Sequence, residues 1–436
     1  MQSVDRYFRL SERGTSAKVE FKGALLIFLS MSYILVVNPH MMADAGMDQG
    51  ACYTATVIIT VFGCLMMGLY ANYPVAQAPA MGINAFFVYT VVLTMGYQWD
   101  TALAAVFVSG ILFLAVSASS LRARFIAAIP EGMRRGIAAG IGCFIVLIGL
   151  HNADVIVSNP STLVALGDLT DAGVLLALFC LLVTIAMSAK KWKLAIFYGM
   201  VLTSAIGLVI GVIPMPESVF SAPAVPDVGS FLAGFHPDVL NMDFLMVVMS
   251  FVFVIFFDST GTLMALGDRA GINREGEERN LRRAFVADAS SASLSGVIGC
   301  TPCSAYAESS VGIEAGSRTG LTPVFVAVMF AVALFIGPVF SVIDFHCTVG
   351  AMFMVGVAMI TELRHIDWND RPLTICVLST IVFMILTYSI TNGISFGIIT
   401  YCVAMIGSGR GKEVHRIIYG VAVLALVYLI GTAIQF

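Results

Sequence analysis

QAPAMGINAFF at residues 77–87 and GCTPCSAYAES at residues 299–309 follow one plan. Each sets a proline among small residues, follows it with a polar side chain, and resumes helix-compatible sequence inside a largely apolar run. Proline lacks a backbone donor and breaks a helix. Broken backbone cannot face hydrocarbon, because each unpaired group would cost several kcal/mol. Two interrupted spans therefore line a cavity enclosed by protein. Half-helices that start there aim free N–H groups and positive dipole ends into it, and a planar, acceptor-rich molecule suits such a place.

Composition puts these runs in a membrane. Of 436 residues, 59% are hydrophobic and only 11% are charged, with a mean hydropathy of +0.93. A soluble domain carries about 25% charged residues. A hydrocarbon core about 30 Å thick needs roughly 20 apolar residues per helix. Such runs recur near 21–37, 52–71, 74–95, 101–119, 136–150, 172–188 and 194–213, and again near 243–266, 284–299, 300–314, 321–340, 347–361, 373–390, 392–408 and 417–434. The expected class is an all-α polytopic membrane protein embedded in a lipid bilayer. No segment is basic enough to suggest nucleic acid. The cysteines lie mostly inside apolar runs and read as small buried hydrophobes. The N-terminal stretch is too polar for a cleaved signal peptide and reads as a cytosolic arm.

The connection 214–241, with Pro214, Pro216, Pro223, Pro226 and Pro237, divides the chain into two sets of seven spans and one leftover run. Basic residues follow even-numbered spans: Arg122, Arg124, Arg134 and Arg135, then Lys190, Lys191 and Lys193, then Arg269 to Arg283 and Arg364 to Arg371. By the positive-inside rule these loops and the N-terminus are cytosolic. An odd number of spans per half inverts one half relative to the other, as in many secondary transporters. The interrupted segments are then span 3 and span 10.

Ionisable residues within spans are rare and costly, and so mark function. Asp258 sits in VFVIFFDSTGTLMAL, Asp288 in RRAFVADASSASLSG, and Glu308 in the second broken segment. Such carboxyls can exchange a coupling proton or accept N–H groups of a cargo. The bland alternative is a hydrogen bond to a half-helix N-terminus, and it weighs most for Asp288. Phe86, Phe87, Phe256, Phe257 and Tyr306 flank these acids and offer faces for stacking. No HExxH pair, GxSxG elbow or nucleotide-binding loop is present, and Cys300-Thr-Pro-Cys303 lacks a second ligand pair. A membrane-embedded enzyme is therefore the weakest reading.

APAMGINAFF (78–87), FFDSTGTL (256–263), GCTPCSAYAESSVGIEAGSRTGLT (299–322) and RGTSAKVEFKGALLIFLSMSYILVVNP (13–39) together resemble the AzgA-like purine permeases. The resemblance implies about fourteen helices as two inverted seven-helix repeats, with short β-strands in spans 3 and 10. It implies a core of spans 1–4 (21–130) and 8–11 (242–340), and a gate of spans 5–7 (131–213) and 12–14 (341–436, with the final run). Residues 1–20 form the arm and 214–241 the connection. The implied activity is proton-coupled uptake of hypoxanthine, guanine or adenine across the inner membrane, with the proton as coupling ion and no cofactor. Carried over by motif, Asp258 and Glu308 contact the base or couple the proton. Asn84 and Asp288 lie near the site, Thr262 and Ser309 join them, and Phe86 and Phe257 are the aromatic candidates. A homodimer through the gate is compatible with the family. Cys300, Pro302, Cys303 and Ala307 depart from the usual span-10 motif, and Ala80 stands where many guanine–hypoxanthine members have Gly. Xanthine, uracil or an inorganic anion therefore stays open as an alternative cargo.

Overall fold

The computed structural model describes residues 2–119, 129–216, 218–236, 242–272, 278–340 and 342–435; Arg122, Arg124, Pro237 and the side chain of Phe257 lie outside the described residues. Span 1 is two helices, Ala17–Met31 and Ile34–Asp44. Span 2 runs Gln49–Leu65 and continues as a π-helix, Met66–Ala71. Span 3 opens with strand β1 (Gln77–Pro79), then helix Met81–Ala85 and π-helix Phe86–Thr94. Spans 4 and 5 are Trp99–Ala118 and Glu131–Asn152. A hairpin of β2 (Ile156–Asn159) and β3 (Leu163–Leu166) leads to spans 6 and 7, Ala172–Ala189 and Ala195–Val209. Spans 8 and 9 are Met242–Ala270 and Glu278–Ile298. Span 10 is strand β4 (Cys303–Ala305) followed by Ser309–Glu314. Span 11 is Leu321–Ala333, span 12 has Val349–Ile360 as its main helix, and spans 13 and 14 are Arg371–Leu386 and Ile390–Gly407.

The two halves are inverted repeats, and β1 and β4 occupy equivalent places in them. Spans 1–4 pack with spans 8–11, and spans 5–7 pack with spans 12–14. Small residues set the spacing in the second group. A Cβ on Gly142 of span 5 would lie 2.6 Å from the Gly356 carbonyl oxygen of span 12. Two membrane helices approach this closely only through glycine. Span 9 is too polar to be chosen as a span by length and apolarity, whereas eight helices among the described residues meet that standard. Its Asp288, Ser291 and Ser295 are fully buried against protein, not lipid.

Two features differ from the sequence expectation, in span 1 and in the loop after span 5. Span 1 breaks at Ser32–Tyr33 and then runs on to Asp44, accommodating Pro39 inside its second helix. The loop after span 5 carries a hairpin. The leftover run forms a helix, Arg416–Gln435, that packs on span 14. The inter-repeat connection lies along spans 9 and 11, where Gly229 N–H donates to Val297 O (2.8 Å) and Ser221 N–H to Phe335 O (3.1 Å).

Candidate functional site

Proline decides the local structure of both broken spans. Pro79 and Pro302 cannot donate, so helix gives way to extended chain, and the freed groups must find partners across the break. They find one another. β1 and β4 pair antiparallel, with Gln77 opposite Ala305, Ala78 opposite Ser304 and Pro79 opposite Cys303. Ala80 N–H donates to Pro302 O and Tyr306 N–H to Ala76 O, both at 3.0 Å. Both strands are buried throughout, and each leads into a helix N-terminus, at Met81 and at Ser309.

Asp258 of span 8 lies beside the Ser304 side chain on β4 and within the electrostatic reach of Glu308. Glu308 sits at the N-cap of the span-10 helix, where its Oε1 accepts from the Tyr33 hydroxyl at 2.6 Å. Tyr33 is presented by the break in span 1. Both acids are half-buried, and neither has an ion-pair partner among the described residues. Beside them Ala307 is exposed, as are Gly261 and Ala265 further along span 8. Thr262 on the same stretch is half-buried. The two acids therefore stand at the start of an accessible stretch of span 8 that leads toward its Arg269 end.

Asn84, in the helix after β1, is fully buried, and neither atom of its amide has a hydrogen-bond partner. An unsatisfied buried group costs about 1–3 kcal/mol, so this amide has both a donor and an acceptor to spare. Asp288 is placed differently. It is fully buried and accepts from Gln77 Nε2 (2.7 Å), from the Ser259 hydroxyl and from the Ala305 backbone N–H. It ties spans 3, 8 and 10 together behind the strands. Ser309 is also engaged, its Oγ accepting from Ala76 N–H at 3.0 Å. Phe86 is fully buried and packs edge-on against Phe251.

Sequence reasoning missed Tyr33, Gln77, Ser259 and Ser304 as parts of this constellation. Gln77 and Ser304 stand inside the broken segments, so their proximity to prolines was a usable signal. Tyr33 gave none, being one tyrosine in an apolar run.

At the Asp44 end of span 1 lies a polar cavity of about 520 Å³. His40, Asp44, Tyr89, Asn152 and Tyr388 are among its lining. Tyr89 OH donates to Asp44 Oδ2 (2.8 Å), and Asn152 Nδ2 donates to Asp44 (3.3 Å) and to the Tyr89 oxygen. These bonds close spans 1 and 3 against span 5.

Residues 20–396 match the model of the permease family. The chain is 39% identical to the guanine/hypoxanthine permease PbuG of Bacillus subtilis, over 97% of this chain and 99% of that one. It is 37% identical to the adenine permease AdeP of Escherichia coli, over 98% and 96%. Among solved structures, the transmembrane domain of a cyanobacterium bicarbonate transporter, BicA, superposes with a TM-score of 0.59 at 17% identity, over 89% of this chain and 97% of that one. That likeness concerns the fold alone. With its inverted repeats and crossed strands, this multi-pass membrane protein belongs to the permease family.

Proposed function

We propose that this chain is a secondary transporter that takes up a purine base (hypoxanthine, guanine or adenine) together with protons. The observation that carries the reading is the meeting of Asp258 and Glu308 where β1 and β4 cross, with the unpaired Asn84 amide on the half-helix beyond. Carboxylates accept the N–H groups of a purine, and a carboxamide can both donate and accept. The relatives named for guanine, hypoxanthine and adenine transport support the same cargo class. Spans 1–4 and 8–11 act as the core and spans 5–7 and 12–14 as the gate, in an inner membrane with the N-terminus cytosolic. In that orientation the accessible stretch of span 8 beyond the acids leads to the cytosol, while Tyr89 and Asn152 close the outer side. The protein works as a carrier and not as an enzyme, and a homodimer would pair through the gate.

Coupling is linkage. Base and proton must favour the same conformational state, or a gradient cannot drive uptake. The test is uptake of radiolabelled hypoxanthine, guanine and adenine into liposomes with an alkaline lumen, with unlabelled xanthine, uracil and sulfate as competitors. Uptake abolished by a protonophore is the expected result. Uptake indifferent to it removes proton coupling, competition by sulfate or uracil moves the cargo assignment, and chemical conversion of the base replaces the carrier with an enzyme.

A further inference from the structure

We propose that the polar cavity at the Asp44 end of span 1 is a second site for the base, an entry site that the base occupies before it reaches Asp258 and Glu308. The inference rests on the purine reading above and deepens it.

Tyr388 is the first pointer. Span 13 ends at Leu386, Thr387 caps it, and Tyr388 follows with a φ of +51°. Ser389 N–H then donates back to Met384 O at 3.2 Å and closes the helix end. A turn of this kind needs a residue in the left-handed region, and glycine usually holds the place. A bulky side chain there is strained. Strain that persists points to a use for the side chain that causes it.

That side chain is held firmly and left unfinished. Its ring meets Tyr89 of span 3 at 6.0 Å between centroids, and Phe144 and His151 of span 5 at 5.2 and 6.2 Å, all edge-on. Its hydroxyl is buried and has no hydrogen-bond partner. Such a hydroxyl costs stability, so packing alone would be better served by phenylalanine.

The complementary group is Asp44. Tyr89 and Asn152 both donate to its Oδ2 and fix the carboxylate, which leaves Oδ1 for a further donor. Asp44 and Tyr388 line the same cavity, and Tyr388 lies within the electrostatic reach of Asp44. At about 520 Å³ the cavity falls within the range of ~300–1,000 Å³ usual for small-molecule sites. Asp44, His151 and Asp154 are exposed around it, so it is reached from solvent with the outer side closed. A ligand that satisfies these walls must be flat, to lie along aromatic rings. It must also offer an N–H to Asp44 and an acceptor to the Tyr388 hydroxyl. A purine base carries both kinds of group around its edge. A metal ion does not fit, because among the described residues no group of His, Cys, Asp and Glu is arranged to hold one.

The cavity also stands where an incoming base must pass. Tyr89 lies five residues beyond Asn84 on span 3, so one helix connects the entry site with the deeper one. Asn152 of span 5 reaches across to Asp44 of span 1 and Tyr89 of span 3. A base in the entry site rests on the contact between gate and core that has to part before it can move inward.

The test is equilibrium dialysis of the full chain in detergent against tritiated hypoxanthine, guanine and adenine, as wild type, Glu308→Gln, Tyr388→Phe and the double variant. The wild type is expected to bind a second base more weakly than the first. Glu308→Gln is expected to lose the tighter site and keep the weaker one. Adding Tyr388→Phe, which removes only the hydroxyl, is expected to weaken that remaining site about tenfold through the loss of one hydrogen bond. The unfolding midpoint of empty Tyr388→Phe should not fall, since the hydroxyl has no partner to lose. One base per chain in the wild type and none in Glu308→Gln overturns the entry site. A residual site that ignores Tyr388→Phe also overturns it, as does a lower midpoint, which would make the hydroxyl part of the fold. A wild type that binds none of the bases removes the transport reading itself, and the entry site falls with it.

Discussion

The two interrupted spans share a backbone plan and divide the chemistry between them. Around β1 the chain is sealed: from Tyr73 to Val91 every residue but Gly82 is buried, and its polar side chains, the amides Gln77 and Asn84 among them, are all neutral. Around β4 the chain is buried up to Tyr306 and then opens, with Ala307 exposed and Glu308 half-buried. A charge inside a membrane needs water or partners, so the acid stands on the open arm and the amides on the closed one. Duplication can repeat a fold element while each copy takes a different electrostatic task.

Removing the charge from the open arm should have the largest effect. Glu308→Gln keeps an oxygen for the Tyr33 hydroxyl, so the fold should hold. The loss of charge-assisted bonds to cargo or proton is worth about 3 kcal/mol, or roughly a hundredfold in uptake rate. Initial rates at equal protein in liposomes measure it, and normal uptake would take Glu308 out of the mechanism.

Next comes an attack on the pairing that both arms share. A Cβ on Gly63 of span 2 would meet Gln77 Oε1 at 2.5 Å, Gln77 Cβ at 2.9 Å and Cys303 Sγ at 3.1 Å. Gly63→Ala therefore pushes on both strands at once, and overpacking of this kind costs about 1–3 kcal/mol. Thermal unfolding in detergent should show a lower midpoint. An unchanged midpoint would mean that the crossing is not backed by span 2 as described.

What the sequence made legible follows the same division. Pro79 and Pro302 announce both breaks, and Asp258 and Glu308 stand out because a carboxyl in an apolar run has few innocent explanations. The sealed chemistry was opaque. Ser259 and Ser304 are small neutral residues of a type common in membrane helices, and only the fold brings them to 3.1 Å. Asp288 was visible as an acid, but its three donors come from three different spans. The break in span 1 falls at Ser32–Tyr33, whereas its proline, Pro39, lies inside the second helix. The β2–β3 hairpin hid because its strands, four residues each around Asn159-Pro160, are too short to show alternation.

Asn84→Ala separates binding from stability on the closed arm. The unpaired amide already bears its desolvation cost, so its removal should leave the empty protein as stable or about 1 kcal/mol more stable. The affinity for the base should fall about tenfold, since roughly one hydrogen bond to a ligand is lost. Unfolding midpoints with and without base give both numbers. A destabilised empty protein would mean that the amide supports the fold and does not wait for cargo.

The smallest effect is expected where the arms touch. Ser309 Oγ accepts from Ala76 N–H, while Tyr306 N–H donates to Ala76 O on the other side of the same residue. Ser309→Ala removes the first bond and spares the second. A buried N–H is left without a partner, at a cost of about 1 kcal/mol. The unfolding midpoint should drop slightly, and base affinity, measured on the same sample by titration, should not change. The opposite result, a weaker affinity at an unchanged midpoint, would put Ser309 in contact with cargo. The boundary between the sealed and the open arm would then fall at the strand crossing itself and not at Ala307, and Glu308 would share its task with the residue that follows it.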